Sequence, residues 1–309
     1  MAEVFLSNVR SESQDAIDSY DKGNETMNRV RLIALDMDGT LLASDHHTVP
    51  RENIEAIMRA HSMGIRVAIS TGRMVEDASD FIRRHDLPCM IVAANGARAC
   101  SGPMPGGEWL YRCNLDPADS HRVLDMLMDT GLAIHGFEDG IVNTVDNGSG
   151  KKYHLVYRGL IEDRYGEAEI RAAADRGIMK LFAVGDGFAG DVYDPRVAPV
   201  REKLMKEMPH LQITSSAPGN VEIISPLAGK GTALSHVAKS LGLTRENVMA
   251  VGDAGNDLNM LHYAYHSVAM GNATPDVLAC CRHRTASNDD CGVAQIINRV
   301  IAAQERENG

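Results

Sequence analysis

The chain has 309 residues, 44% of them hydrophobic and 24% charged, with 42 Asp and Glu against 31 Lys and Arg for a formal net charge of -11. Those proportions are those of a globular chain long enough for about two domains, and no apolar run approaches the roughly 18 residues of a membrane-spanning helix. The acidic balance argues against nucleic acid or a membrane surface as partner and for a small molecule. An anionic ligand would then need the few positive groups gathered at one spot, or a metal cation.

The opening MAEVFLSNVR has no basic segment and only a short apolar run, so it does not read as a secretory signal, and a cytoplasmic location is expected. Residues 1–28 are expected to form a loose tail, since Ser7 to Asn28 carry too few large apolar side chains to offset ordering entropy. Met27 is a candidate start of translation, which N-terminal sequencing of the native protein checks. The cysteines at 89, 100, 113, 280, 281 and 291 form no CxxC pair, which argues for reduced thiols rather than a zinc site or a disulfide framework.

From Val30 onward the pattern alternates. Val30 to Leu35 reads as a strand buried on both faces, Arg51 to Ser62 as a helix, Ile65 to Ser70 as a second strand, Val75 to His85 as a helix and Met90 to Ala94 as a third strand. Such a βαβαβ order predicts a parallel, doubly wound sheet. After Asn95 and Gly96 the texture changes. A Pro- and Gly-rich stretch precedes a helix over Pro117 to Asp129, with Asp116 as N-cap, and then a hairpin turning at Asp139-Gly140. Gly177 to Val184 reads as a strand, Pro195 to Met208 as a helix, and two strands flank Pro218-Gly219-Asn220, the pattern of an antiparallel α+β layer. From Gly229 the first texture returns: a helix over Lys230 to Leu241, a buried strand over Val248 to Val251, a short helix over Asp257 to Tyr263, a strand over Ser267 to Met270 and two closing helices. The expected fold is an α/β core with a doubly wound parallel sheet, formed by residues 29–97 and 226–309 and interrupted by an inserted α+β domain over 98–225.

The first strand runs into LDMDGT. If extended geometry persists, Asp36 and Asp38 look into one space at the carboxyl end of a parallel strand, where open α/β sheets bind their ligands. VMAVGDAGND puts Asp253 at the same edge, with Asn256 and Asp257 just beyond. Several carboxylates in one cleft cannot all stay ionised without a cation, and oxygen-only ligands suit Mg²⁺. STGR offers the hydroxyl of Thr71 and, at Gly72, room for a close-lying anion; Lys230, between two glycines at a helix start, is a candidate counter-charge for phosphate. Arg98 and Lys180, taken singly, read as ordinary surface charge, and His46, His47, His135 and His154 have no motif around them.

DMDGT, the Thr of STGR, the Lys of GKG and VGDAGND, in that order, resemble the four motifs of the haloacid dehalogenase superfamily of phosphohydrolases. GKGTAL followed by GDAGNDLNML and VAMGNA is similar to its Cof-type branch, which carries a large α/β cap between the second and third motifs. The resemblance implies that Asp36 is the nucleophile and Asp38 the general acid and base. It implies Mg²⁺ held by Asp36, Asp38 and Asp253 with Asp257 in support, and phosphate held by Thr71, Gly72, Lys230 and Asn256. The implied activity is Mg²⁺-dependent hydrolysis of small phosphorylated metabolites, sugar phosphates foremost, through an aspartyl phosphate. A phosphomutase and a non-catalytic phospho-acceptor domain share parts of this pattern. A mutase would require a bisphosphorylated sugar for turnover, whereas a receiver-like domain would hold a stable phospho-Asp36.

Overall fold

A computed structural model describes residues 27–146, 161–186, 192–215 and 217–308. The tail expected over 1–28 lies outside these residues except at its last two positions, and His154 lies outside them too. In chain order, the first part of the chain forms β1 (Leu32–Asp36), α1 (Arg51–Ser62), β2 (Arg66–Ser70), α2 (Val75–Arg84), β3 (Cys89–Ala93), β4 (Arg98–Cys100) and β5 (Trp109–Arg112). The middle forms α3 (Pro117–Met128), β6 (Ala133–Glu138), β7 (Ile141–Val145), β8 (Glu162–Tyr165), α4 (Glu167–Arg176), β9 (Lys180–Val184), α5 (Val197–Glu207), β10 (Gln212–Thr214) and β11 (Asn220–Ile224). The last part forms α6 (Lys230–Ser240), β12 (Val248–Gly252), α7 (Leu258–Tyr263), β13 (His266–Ala269), α8 (Pro275–Cys280), β14 (His283–Arg284) and α9 (Gly292–Asn308). Among the described residues no helix is long and apolar enough to cross a membrane. All six cysteines are free.

The chain divides into two compact units. The first comprises residues 27–70, 85–90 and 238–308 of the described chain. Its strands lie in the order β14-β13-β12-β1-β2, every pair parallel. β1 and β12 are buried along their whole length, which is why LIALD and VMAVG are continuous apolar runs rather than alternating ones. Helices α1 and α9 are tied through buried Asn53, whose Nδ2 donates to the Leu41 carbonyl at 3.3 Å while its Oδ1 accepts the Ala294 N–H at 2.9 Å.

The second unit comprises residues 71–84 and 91–237 where described. Residues Ile91 to Ala93 of β3 pair antiparallel with β4, and β4 with β5. A separate six-stranded sheet has the order β10-β11-β9-β6-β7-β8, antiparallel except for β7 and β8. One of its faces is covered by α3, α4 and α5: Leu124, Ile170 and Leu204 share a core with Ile134, Leu181 and Ile223. Strand alternation sends Phe137, Phe182 and Ile224 to the other face, where they pack with Met74, Ala94 and Ala228.

Candidate active site

β1 and β12 are parallel neighbours, with Leu35 opposite Val251, so the residues that end them share one edge. Asp36 is the last residue of β1, 5% exposed, and stands opposite Ser70, the last residue of β2. Beyond Asp36 the chain turns instead of staying extended: the Leu42 N–H donates to the Met37 carbonyl at 2.9 Å. Gly39 takes φ +84°, and a Cβ there would lie 2.5 Å from Asp253 Oδ2, so glycine is required both by backbone conformation and by space. Buried Thr40 donates through Oγ1 to Asp253 Oδ1 at 2.9 Å.

Asp257 is fully buried, and its Oδ2 accepts the N–H groups of Asp253 at 3.0 Å and Ala254 at 3.2 Å. That carboxylate therefore shapes the loop that presents Asp253. One carboxylate oxygen from each of Asp36, Asp253 and Asp257 lies within 4.8 Å of the other two. Three like charges this close, two of them buried, favour a shared cation over full ionisation alone. An all-oxygen donor set fits Mg²⁺. The Asp38 side chain is exposed, with Oδ1 3.7 Å from His46 Nδ1, and its carboxylate is outside the cluster of three. Asn256 is exposed in the turn between β12 and α7.

Thr71, Gly72 and Lys230 belong to the second unit. Thr71 is buried, and its N–H donates to Val92 O at 2.8 Å while its Oγ1 accepts the Arg73 N–H at 3.1 Å. Its carbonyl accepts the Asn95 N–H at 3.2 Å, and a Cβ at Gly72 would stand 3.0 Å from Asn95 Oδ1. Lys230, 1% exposed, opens α6. Gly96, at φ +89°, lies against the backbone of Gly229 and Lys230 so closely that no side chain fits there. The Asn95-Gly96 turn thus touches both the Thr71 segment and the Lys230 segment.

Two basic residues read from sequence as surface charge are buried. Lys180 is 7% exposed, 3.4 Å from Glu222 Oε2, with its ammonium over the rings of Phe137 and Phe182; Glu222 Oε2 also accepts from Asn95 Nδ2 at 3.5 Å. Arg98 is 1% exposed with Asp139 as its anionic partner. In both cases the carboxylate partner, distant in sequence, makes burial of the charge tolerable.

A sequence profile of haloacid dehalogenase-like hydrolases matches residues 33–297. The chain belongs to that family. It is 31% identical over 255 residues to an HMP-PP phosphatase of Cronobacter sakazakii, covering 82% of this chain and 88% of that one. It is also 31% identical to phosphatase YwpJ of Bacillus subtilis, covering 88% and 100% of the two chains. A haloacid dehalogenase-like hydrolase of Bacteroides thetaiotaomicron has a solved structure that matches with a TM-score of 0.73 at 26% identity, over 88% of this chain and 99% of that one. The resemblance to the Cof-type branch and the expected α/β core with a cap are borne out, and the chain is a phosphoric monoester hydrolase.

In this hydrolase, sequence reasoning did not single out Asn272. Asn272 Nδ2 donates to the Gly39 carbonyl at 2.8 Å, and its Oδ1 accepts the Asn288 N–H at 3.1 Å, so it fixes the turn after Asp36 from the loop after β13. The MGNA segment at the end of a parallel strand was the available signal.

Proposed function

We propose that the chain is a Mg²⁺-dependent phosphatase of small phosphorylated metabolites, sugar phosphates foremost, working through an aspartyl phosphate on Asp36. The observation that carries this reading is the convergence of Asp36, Asp253 and Asp257 on one strand edge. Asp36, the Asp38 carbonyl and Asp253 would hold the ion, with Asp257 orienting Asp253. When bound, Mg²⁺ supplies positive charge that offsets the repulsion between a carboxylate nucleophile and a phosphoryl group.

An Asp36 carboxylate oxygen forms the new bond to phosphorus as the bond to the leaving oxygen breaks, and Asp38 gives that oxygen its proton. Asp38, now a carboxylate, takes a proton from water. The water oxygen then bonds to phosphorus and Asp36 is released. Thr71, the Gly72 backbone and Lys230 hold the phosphoryl oxygens, and Asn256 assists at the rim. Residues 98–225 act as a cap that excludes water, and Lys180 and Glu222 supply hydrogen-bonding groups suited to a hydroxylated leaving group. The likeness to an HMP-PP phosphatase and to phosphatase YwpJ supports phosphate hydrolysis.

The decisive experiment is phosphate release from p-nitrophenyl phosphate with and without Mg²⁺. Asp36→Asn is expected to abolish release, and a wild-type rate in that variant would remove the nucleophile. Asp38→Asn is expected to lose turnover yet still bind Mg²⁺.

A further inference from the structure

The hairpin joining β6 to β7 turns at Asp139-Gly140, and charged side chains from three other elements converge on that tip. Arg98, the first residue of β4, donates through Nε to Asp139 Oδ1 at 2.5 Å. Its Nη1 donates to the carbonyls of Ala97 at 2.9 Å and Cys113 at 2.7 Å, and its Nη2 to Asn114 Oδ1 at 2.7 Å. Arg112 on β5 reaches the other Asp139 oxygen. Glu76, in the first turn of α2, accepts the Gly140 N–H on Oε1 at 2.7 Å. A buried guanidinium with its donors matched this fully is the kind of pair that fixes one arrangement against others.

The fixed tip has a bearing on the reaction because of what each partner is attached to. Helix α2 leaves directly from the Thr71–Gly72 segment. The β6–β7 hairpin carries Phe137, and the helix-free sheet face to which Phe137 belongs packs against Met74, Ala94 and Ala228. Those three are close in sequence to Thr71, Asn95 and Lys230.

We infer that Glu76, Arg98 and Asp139 are positioning residues that lock the β6–β7 hairpin to the helix leaving the Thr71–Gly72 segment, holding the sheet face of Phe137, Lys180 and Phe182 in register with that segment. Their part in turnover rests on the proposal that Thr71 and Lys230 hold the phosphoryl group. The lock itself does not.

Glu76→Ala removes the acceptor for the Gly140 N–H, and Glu76→Gln keeps an acceptor oxygen without the charge. Amide hydrogen exchange is expected to speed up together at Gly140 and over residues 71–75 in Glu76→Ala, by about tenfold for one lost hydrogen bond, and to return towards wild type in Glu76→Gln. In the same pair KM for p-nitrophenyl phosphate is expected to rise several-fold in Glu76→Ala at unchanged kcat and to recover in Glu76→Gln. Exchange confined to Gly140, or unchanged, overturns the lock; faster exchange at both places with an unchanged KM overturns its part in turnover. A wild-type protein that releases no phosphate would refute the proposed function, while the exchange arm would still decide the lock. If Glu76→Ala fails to fold, Arg112→Ala, which removes a largely exposed side chain from the same tip, is read by the same two measurements.

Discussion

At the scale of single residues, the carboxylate cluster depends on positions that carry no charge. Gly39 stands in the left-handed region with Asp253 Oδ2 2.5 Å from where its Cβ would be. Gly39→Ala combines backbone strain with a clash against the Asp253 carboxylate, a cost of about 2–3 kcal/mol, so kcat/KM is expected to fall on the order of 100-fold in a steady-state assay. Asn272→Ala leaves the Gly39 carbonyl without its 2.8 Å donor, and a loss of about 10- to 100-fold in kcat/KM is expected if the proposed Mg²⁺ site depends on this turn. That the carboxylates of Asp36, Asp253 and Asp257 meet was legible in the sequence, because parallel strands end on a common edge and the acids follow apolar runs. The burial of Arg98 and Lys180 was not legible. Their partners Asp139 and Glu222 lie 41 and 42 residues away, and no local pattern announces such a pairing.

The residue scale also sets one pH dependence away from the cluster. Burial, then neighbouring His266, Arg299 and Arg282, push His283 down to about 4 from its ordinary 6.5. The unfolded chain therefore takes up this proton at a higher pH than the folded chain does. Stability is present in full above about pH 6.5, falls as the pH drops towards 4, and loses nothing more from this group below that. In urea denaturation across that range, His283→Asn is expected to lose less stability than wild type. Parallel curves for the two proteins would count against the assignment.

At the scale of elements, legibility followed length and the size of the apolar side chains. Helix α1 runs from Arg51 to Ser62 as the sequence predicts, and α3 begins at Pro117 with Asp116 accepting the Ala118 N–H at 2.9 Å. Helix α4 was missed because its buried stripe is Ile170, Ala173 and Ala174, which offers only one large apolar residue to betray a period. β4 and β5 were missed because they are three and four residues long beside a Pro- and Gly-rich loop. Their stability is borrowed from pairing, not from their own composition. In β9, Leu181 is fully buried between the sheet and the helices that cover it. Leu181→Ala is expected to cost about 2–5 kcal/mol, measured as a lower denaturation midpoint at unchanged m.

For the molecule as a whole, the net charge of -11 is a burden on folding, and Asp36, Asp253 and Asp257 concentrate part of it within 4.8 Å. An ion that binds only the folded chain stabilises it by RT ln(1 + [ion]/Kd), about 2.7 kcal/mol at a hundredfold excess over Kd, which for a chain of this size is several degrees in Tm. On the proposed role of Mg²⁺, EDTA-treated wild-type protein is therefore expected to gain several degrees in thermal melting when Mg²⁺ is added. Asp253→Asn should differ from wild type both without and with Mg²⁺. Without Mg²⁺ it should melt at or above the wild-type temperature, because one of three mutually repelling carboxylates has become neutral, and with Mg²⁺ its gain should largely vanish, because a proposed ligand is gone. A general salt effect would raise both proteins alike, and equal Mg²⁺ shifts in the two would place the ion somewhere other than these three carboxylates.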